Sequence, residues 1–150
     1  MTPRGRNEMG SGLIEVTWLG LILLVPLVYV LLSAFAVQRG AFATTAAARA
    51  AGRAYALAPT DEVGLAQGTA AARQAYADQG LPAEGISVEV TCAPTPHRCH
   101  QGGSVVTVVV ASRVALPLLP PILGRRAPGV GLDATFVVPF GHYQEAAGAG

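Results

Sequence analysis

Residues 10–38 read GSGLIEVTWLGLILLVPLVYVLLSAFAVQ, and their reading decides the fold. After Glu15 no charge appears until Arg39, an interval of 23 residues. At about 1.5 Å per residue a helix of that length spans roughly 34 Å, more than the roughly 30 Å hydrocarbon core of a bilayer. A helix carries its backbone through lipid because every polar group is paired within the segment. We therefore expect a membrane-spanning helix over residues 11–38, behind a polar leader at 1–10. A conventional signal peptide has an apolar core of only about 7–15 residues before a small-residue cleavage site. This core is longer and holds Pro26 at its middle, where the ring removes one helical hydrogen bond and is expected to kink the axis.

The entrance to the helix carries one ionisable group in an otherwise apolar setting. Arg4 and Arg6 precede Gly10 and Ser11, and Glu15 follows one turn inside the hydrophobic run. Near the interface such a carboxylate can snorkel to the headgroups, whereas deeper burial requires a partner charge. Arginine counts on the two flanks, Arg4 and Arg6 against Arg39, Arg49 and Arg53, do not decide orientation by themselves.

Beyond the membrane, the stretch RGAFATTAAARAAGRAYALA continues the helical pattern to Ala58, and Pro59 ends it. At about 100° per residue, Arg39, Arg49 and Arg53 fall in one sector, read as a solvated face. Ala47, Ala51, Tyr55 and Ala58 fall opposite and suit close packing against a sheet or a neighbouring subunit. Thr60, Asp61 and Glu62 open a second helix with a capping oxygen and two carboxylates at the positive end of the dipole. It is expected to run to about Gln79 and stop at Gly80, burying Leu65, Thr69, Ala72 and Tyr76, with Gly64 and Gly68 weakening it. The region 39–80 thus reads as a helical stalk.

From residue 81 the period changes to two. Ile86, Val88, Val90 and Cys92 alternate with polar residues; Val106, Val108, Val110 and Val114 share a face of Ser104–Ala115; Leu132, Ala134, Phe136 and Val138 share a face of Val130–Val138. Apolar residues on both faces of the second segment make it the expected central strand. The fold class is α+β: a membrane helix extended into a helix, a second short helix, then a small three-stranded antiparallel sheet over residues 81–144. The segment LPLLPPILGRRAPG, residues 116–129, is too proline-rich for a helix; it reads as a membrane-surface or subunit contact, or as a loop folded over the core. Residues 145–150 read as a disordered tail.

Cys92 and Cys99 bracket CAPTPHRC, with His97 and His100 nearby. A Cys2His2 metal site would crowd four ligands into nine residues. A disulfide closing the hairpin is simpler, fits an oxidising compartment, and leaves the histidines as ordinary loop polar residues. No nucleophile–base pair, phosphate-binding glycine loop or paired carboxylates occur in the pattern, which argues against an enzyme and against a cofactor or small-molecule substrate. The net charge of +1, with scattered arginines and no lysine, offers no basic patch for nucleic acid.

A short basic leader, Gly10, a small Ser11 and Glu15 at the head of a long apolar helix resemble the class III signal of prepilins and pseudopilins. The rest of the chain resembles TadE-like minor pilins, through an Ala/Arg-rich helix, a Cys loop, the strand SVVTVVVASRVALPLLPPILG and a last strand ending VVPFGHYQE. Val16 stands where the main Flp-type pilins carry Tyr, which points to a minor pilin. The resemblance implies cleavage between Gly10 and Ser11 by a prepilin peptidase, with Glu15 as the docking carboxylate for the new α-amino group. It implies a structural subunit of a tight-adherence (Tad/Flp) pilus. Such a subunit works beside other pilus subunits, an inner-membrane assembly platform and a secretion ATPase, with the N-terminus cytoplasmic and the remainder outside. Two alternatives stay open: a pseudopilin of type II secretion or a type IVa pilin, which normally has Phe where Ser11 stands, and an uncleaved membrane-anchored binding domain.

Overall fold

The computed structural model describes residues 9–96, 98–117 and 129–141, and the backbone alone at residues 9–11 and 13. Most of the leader, His97, the greater part of the proline-rich segment and the tail lie outside the described residues. The described chain folds as two helices and three strands: α1 (Met9–Leu57), α2 (Asp61–Ala77), β1 (Ser87–Ala93), β2 (Val105–Ala115) and β3 (Gly129–Pro139). The strands form one antiparallel sheet in the order β1-β2-β3, so β2 is central as its two-sided apolar pattern requires. The architecture is α+β.

Helix α1 is continuous over 49 residues, with Pro26 inside it. It is long and apolar enough to cross a membrane. Its distal part lies across the sheet, where Ala43, Ala47, Ala48 and Ala51 are fully or almost fully buried. They face Val106, Val108 and Val110 of β2, each wholly buried. Two glycines let the axis come this close. A methyl group at Gly40 would collide with Val114 and Leu132, and one at Gly52 would collide with the Phe136 ring, whose Cδ1 would stand 2.5 Å away. Buried polar groups on this interface are paired: Thr44 donates to the Gly40 carbonyl at 2.7 Å, and its hydroxyl lies 2.7 Å from that of Ser112 on β2. Helical residues beyond Arg39 and the strands therefore share one hydrophobic core.

Helix α2 begins where its capping residues dictate, the Thr60 hydroxyl accepting from the Val63 amide at 3.3 Å. It ends at Ala77, earlier than Gln79, because residues 78–80 turn sharply to reach Gly80 at φ +70, a conformation costly for any residue with a Cβ. Its buried face agrees with the expectation at Ala72 and Tyr76 and departs from it at Leu65 and Thr69. Gly64, Gly68, Ala72 and Tyr76 are buried, whereas Leu65 is 44% exposed and Thr69 only half-buried. The reason is the closeness of α1: a Cβ at Gly68 would lie 3.1 Å from the Ala51 carbonyl oxygen, and one at Gly64 would lie 3.0 Å from the Tyr55 ring. The seam between the helices has room for hydrogen atoms only, so Leu65 is rotated out of it.

Arg39 departs from a purely solvated reading as well. Its Nε donates to the Gln79 carbonyl at 2.9 Å, and a second guanidinium nitrogen bonds the same oxygen. The arginine thereby caps the chain reversal after α2 with a charge-assisted bond. Arg49 and Arg53 remain exposed.

Candidate functional site: the entrance of the long helix

The residues singled out by the leader motif all stand in the first turns of α1. Gly10 and Ser11 are helical in backbone, and Glu15 is exposed one turn further along. Ser11 and Glu15 are four residues apart, so they share a helix face, separated by about 6 Å along the axis. Among the described residues no hydrogen bond or ion pair engages the Glu15 carboxylate. Its surroundings are apolar and uncovered: the large aliphatic residues and Trp18 between Ile14 and Leu32 are between 42% and 70% exposed. Nothing lies within 4 Å of where a Cβ would stand at Gly12 or Gly20. A helix hydrophobic all round with nothing packed on it suits lipid or other helices as its surroundings. Within it Glu15 is the only carboxylate before Asp61.

A second concentration of polar groups lies at the other end of the molecule. Cys92 and Cys99 are bonded as a disulfide, with Cα atoms 5.4 Å apart, closing the loop between β1 and β2. The loop is held down by Asp61, the first residue of α2. One Asp61 oxygen accepts from the Cys99 amide at 3.1 Å; the other accepts from the Tyr55 hydroxyl at 2.9 Å and bonds Nδ1 of His100. His100 Nε2 donates to the Tyr55 carbonyl at 3.1 Å. The imidazole is packed between the rings of Tyr55 and Phe140, with centroids 5.0 and 5.1 Å away. His100 is thus a structural member of this cluster and not an ordinary loop residue.

Electrostatics follow from that geometry. Burial by itself pushes the Asp61 carboxyl up, but the bonds from His100, the Cys99 amide and Tyr55 outweigh it and hold the group below its usual range. Burial, reinforced by the hydrogen bond to Asp61 and its charge, pushes the Tyr55 phenol well above its ordinary value. The cluster stabilises the loop, because Tyr55, His100 and the Cys99 amide all bond the one Asp61 carboxylate.

Sequence reasoning missed this cluster for an identifiable reason. Asp61 sits where a helix start ordinarily has an acid, and His100 sits beside a cysteine, so neither is locally anomalous. Their 39-residue separation hides the pairing. Comparison with protein-family models, curated proteins and solved structures gives no match to the chain.

Proposed function

We propose that the chain is a structural minor pilin of the tight-adherence type, anchored by α1 with its N-terminus in the cytoplasm and its domain outside. The observation that supports the reading is the placement of Gly10, Ser11 and Glu15 at the head of a helix whose next turns pack on nothing among the described residues. Hydrolysis of the Gly10–Ser11 peptide bond by a prepilin peptidase would leave an α-ammonium at Ser11, one turn from Glu15. A carboxylate inside lipid is costly, by about 2.5–3.5 kcal/mol at a helix centre and less near the interface. Facing an ammonium, from its own chain or a neighbour, it costs less than either charge alone. The disulfide at the far end fits an oxidising exterior, on the opposite side of the membrane from the leader. Other pilus subunits and the assembly platform are the partners this arrangement serves.

The test is the mature N-terminus in cells that contain the peptidase. Mass spectrometry should find Ser11 first, and Gly10→Ala should insert normally yet keep its leader. An intact Met1–Gly10 in the wild-type chain would overturn the pilin reading and leave an uncleaved anchor. Glu15→Ala should be processed and inserted but lose co-purification with pilus subunits. Removing one member of a buried pair costs roughly 3–5 kcal/mol, more than a hundredfold in association.

A further inference from the structure

At the base of the domain a cavity of about 180 Å³ opens between α1, the turn after α2 and the end of β2. Its wall includes Ala36, which belongs to the uncharged run, and Arg39, the first charge beyond that run. Leu81, Pro82 and Val114 give the wall an apolar part, and among the described residues no carboxylate lines it. Tyr76 of α2, only 2% exposed, stands in the same wall.

The continuity of α1 fixes the height of this cavity. Ala36 lies about 4.5 Å before Arg39 along a helix that has no break between its apolar run and the domain. Gly40 already lies against Val114 and Leu132, so the sheet begins within one residue of Arg39. No linker holds the domain away from a bilayer that α1 crosses. The cavity therefore stands where the apolar run ends, at the depth of the lipid headgroups.

Two of the lining residues can still donate hydrogen bonds. The Arg39 guanidinium has five N–H groups and uses two on the Gln79 carbonyl, which leaves three. The Tyr76 hydroxyl has no hydrogen-bond partner among the described residues, and its oxygen is not sealed in. A phenol buried so far ordinarily finds a partner. We propose that the cavity binds the phosphate of a phospholipid in the leaflet on the domain's side, its oxygens accepting from Arg39 and Tyr76. The acyl chains then descend beside Ala36 along the apolar run. A headgroup without positive charge fits best, because a choline would be carried in beside the guanidinium. Phosphatidylglycerol has that character. The site rests on α1 crossing a membrane and needs neither cleavage at Gly10 nor a filament.

The experiment uses the full-length, unprocessed chain in nonionic detergent with equal amounts of dioleoyl phosphatidylglycerol and dioleoyl phosphatidylcholine. Native mass spectrometry reads the lipid retained on the chain. Phosphatidylglycerol should be preferred by about tenfold, the scale of one charge-assisted contact. Arg39→Gln should lower its retention by roughly tenfold for the same reason. Tyr76→Phe removes only a hydroxyl without a partner in the protein. It should lower retention by about three- to tenfold and leave the urea midpoint of the lipid-free chain unchanged. Arg49→Gln, the same loss of charge about three turns further along α1, should leave retention as it was. Equal retention of the two lipids, or full retention by Arg39→Gln or Tyr76→Phe, would overturn the proposal. So would displacement of the lipid by glycerol phosphate at the lipid's own concentration, which would assign the site to a soluble phosphate.

Discussion

One continuous helix runs through both halves of this protein, and its two halves obey opposite packing rules. From Ile14 to Leu32 most side chains are large and apolar, and the large aliphatic ones are exposed; from Gly40 to Ala51 many are small, and Ala43, Ala47 and Ala51 are wholly buried. Hydrophobicity alone would assign the core to the first half. What decides burial is the presence of a partner surface at close range, and close range demands small side chains. Bulk serves where the surroundings are fluid lipid, because nothing specific must be matched. Glycine and alanine serve where a sheet lies a few ångströms away, because contact area there depends on approach.

The largest expected effect comes from exchanging these rules. Gly40→Leu forces a side chain into Val114 and Leu132 and should destabilise the domain by about 3 kcal/mol, whereas Gly20→Leu should stay within about 0.5 kcal/mol. Urea titration of the full chain in detergent, followed by circular dichroism, measures both. Equal effects would erase the distinction between the halves.

Next in size is the disulfide. Cys92→Ser with Cys99→Ser should cost about 2.5 kcal/mol by loop entropy, read by the same titration, with no change in membrane insertion. A comparable loss of insertion would mean that the spanning half depends on the domain.

The smallest effect concerns Asp61 and is a matter of pH. Its folded-state pKa is depressed, so its stabilisation is present in full above the unfolded value and is lost as pH falls through the folded one. Stability should therefore decline on acidification below the ordinary carboxylate range. Asp61→Asn should remove that part of the decline and cost about 1–2 kcal/mol at neutral pH. An unchanged acid profile in the variant would remove Asp61 from its role as the anchor of the Cys92–Cys99 loop.

Much was legible in the residues themselves because it depends on local or compositional physics. A 23-residue uncharged apolar run requires a helix wherever it meets lipid. The period-two alternation places Val106, Val108 and Val110 on one face whatever lies opposite. Thr60 before two carboxylates starts a helix, and Pro59 separates it from the one before. The Ser11–Glu15 spacing on one helix face is also a local property, fixed by the helical repeat.

Tertiary structure decided the rest, and each instance is a contact between residues far apart in the chain. Gly64 and Gly68 look like weak points of α2 by propensity, yet they form its buried seam because α1 approaches too closely for Leu65 to be accommodated. Arg39 looks like part of a solvated stripe until the turn after α2 brings the Gln79 carbonyl to it, 40 residues later. His100 looks like a loop polar residue until α2 delivers Asp61 beneath the Cys99 amide. Periodicity states which face of an element is apolar; only the distance between elements states which side chains that face has room to bury.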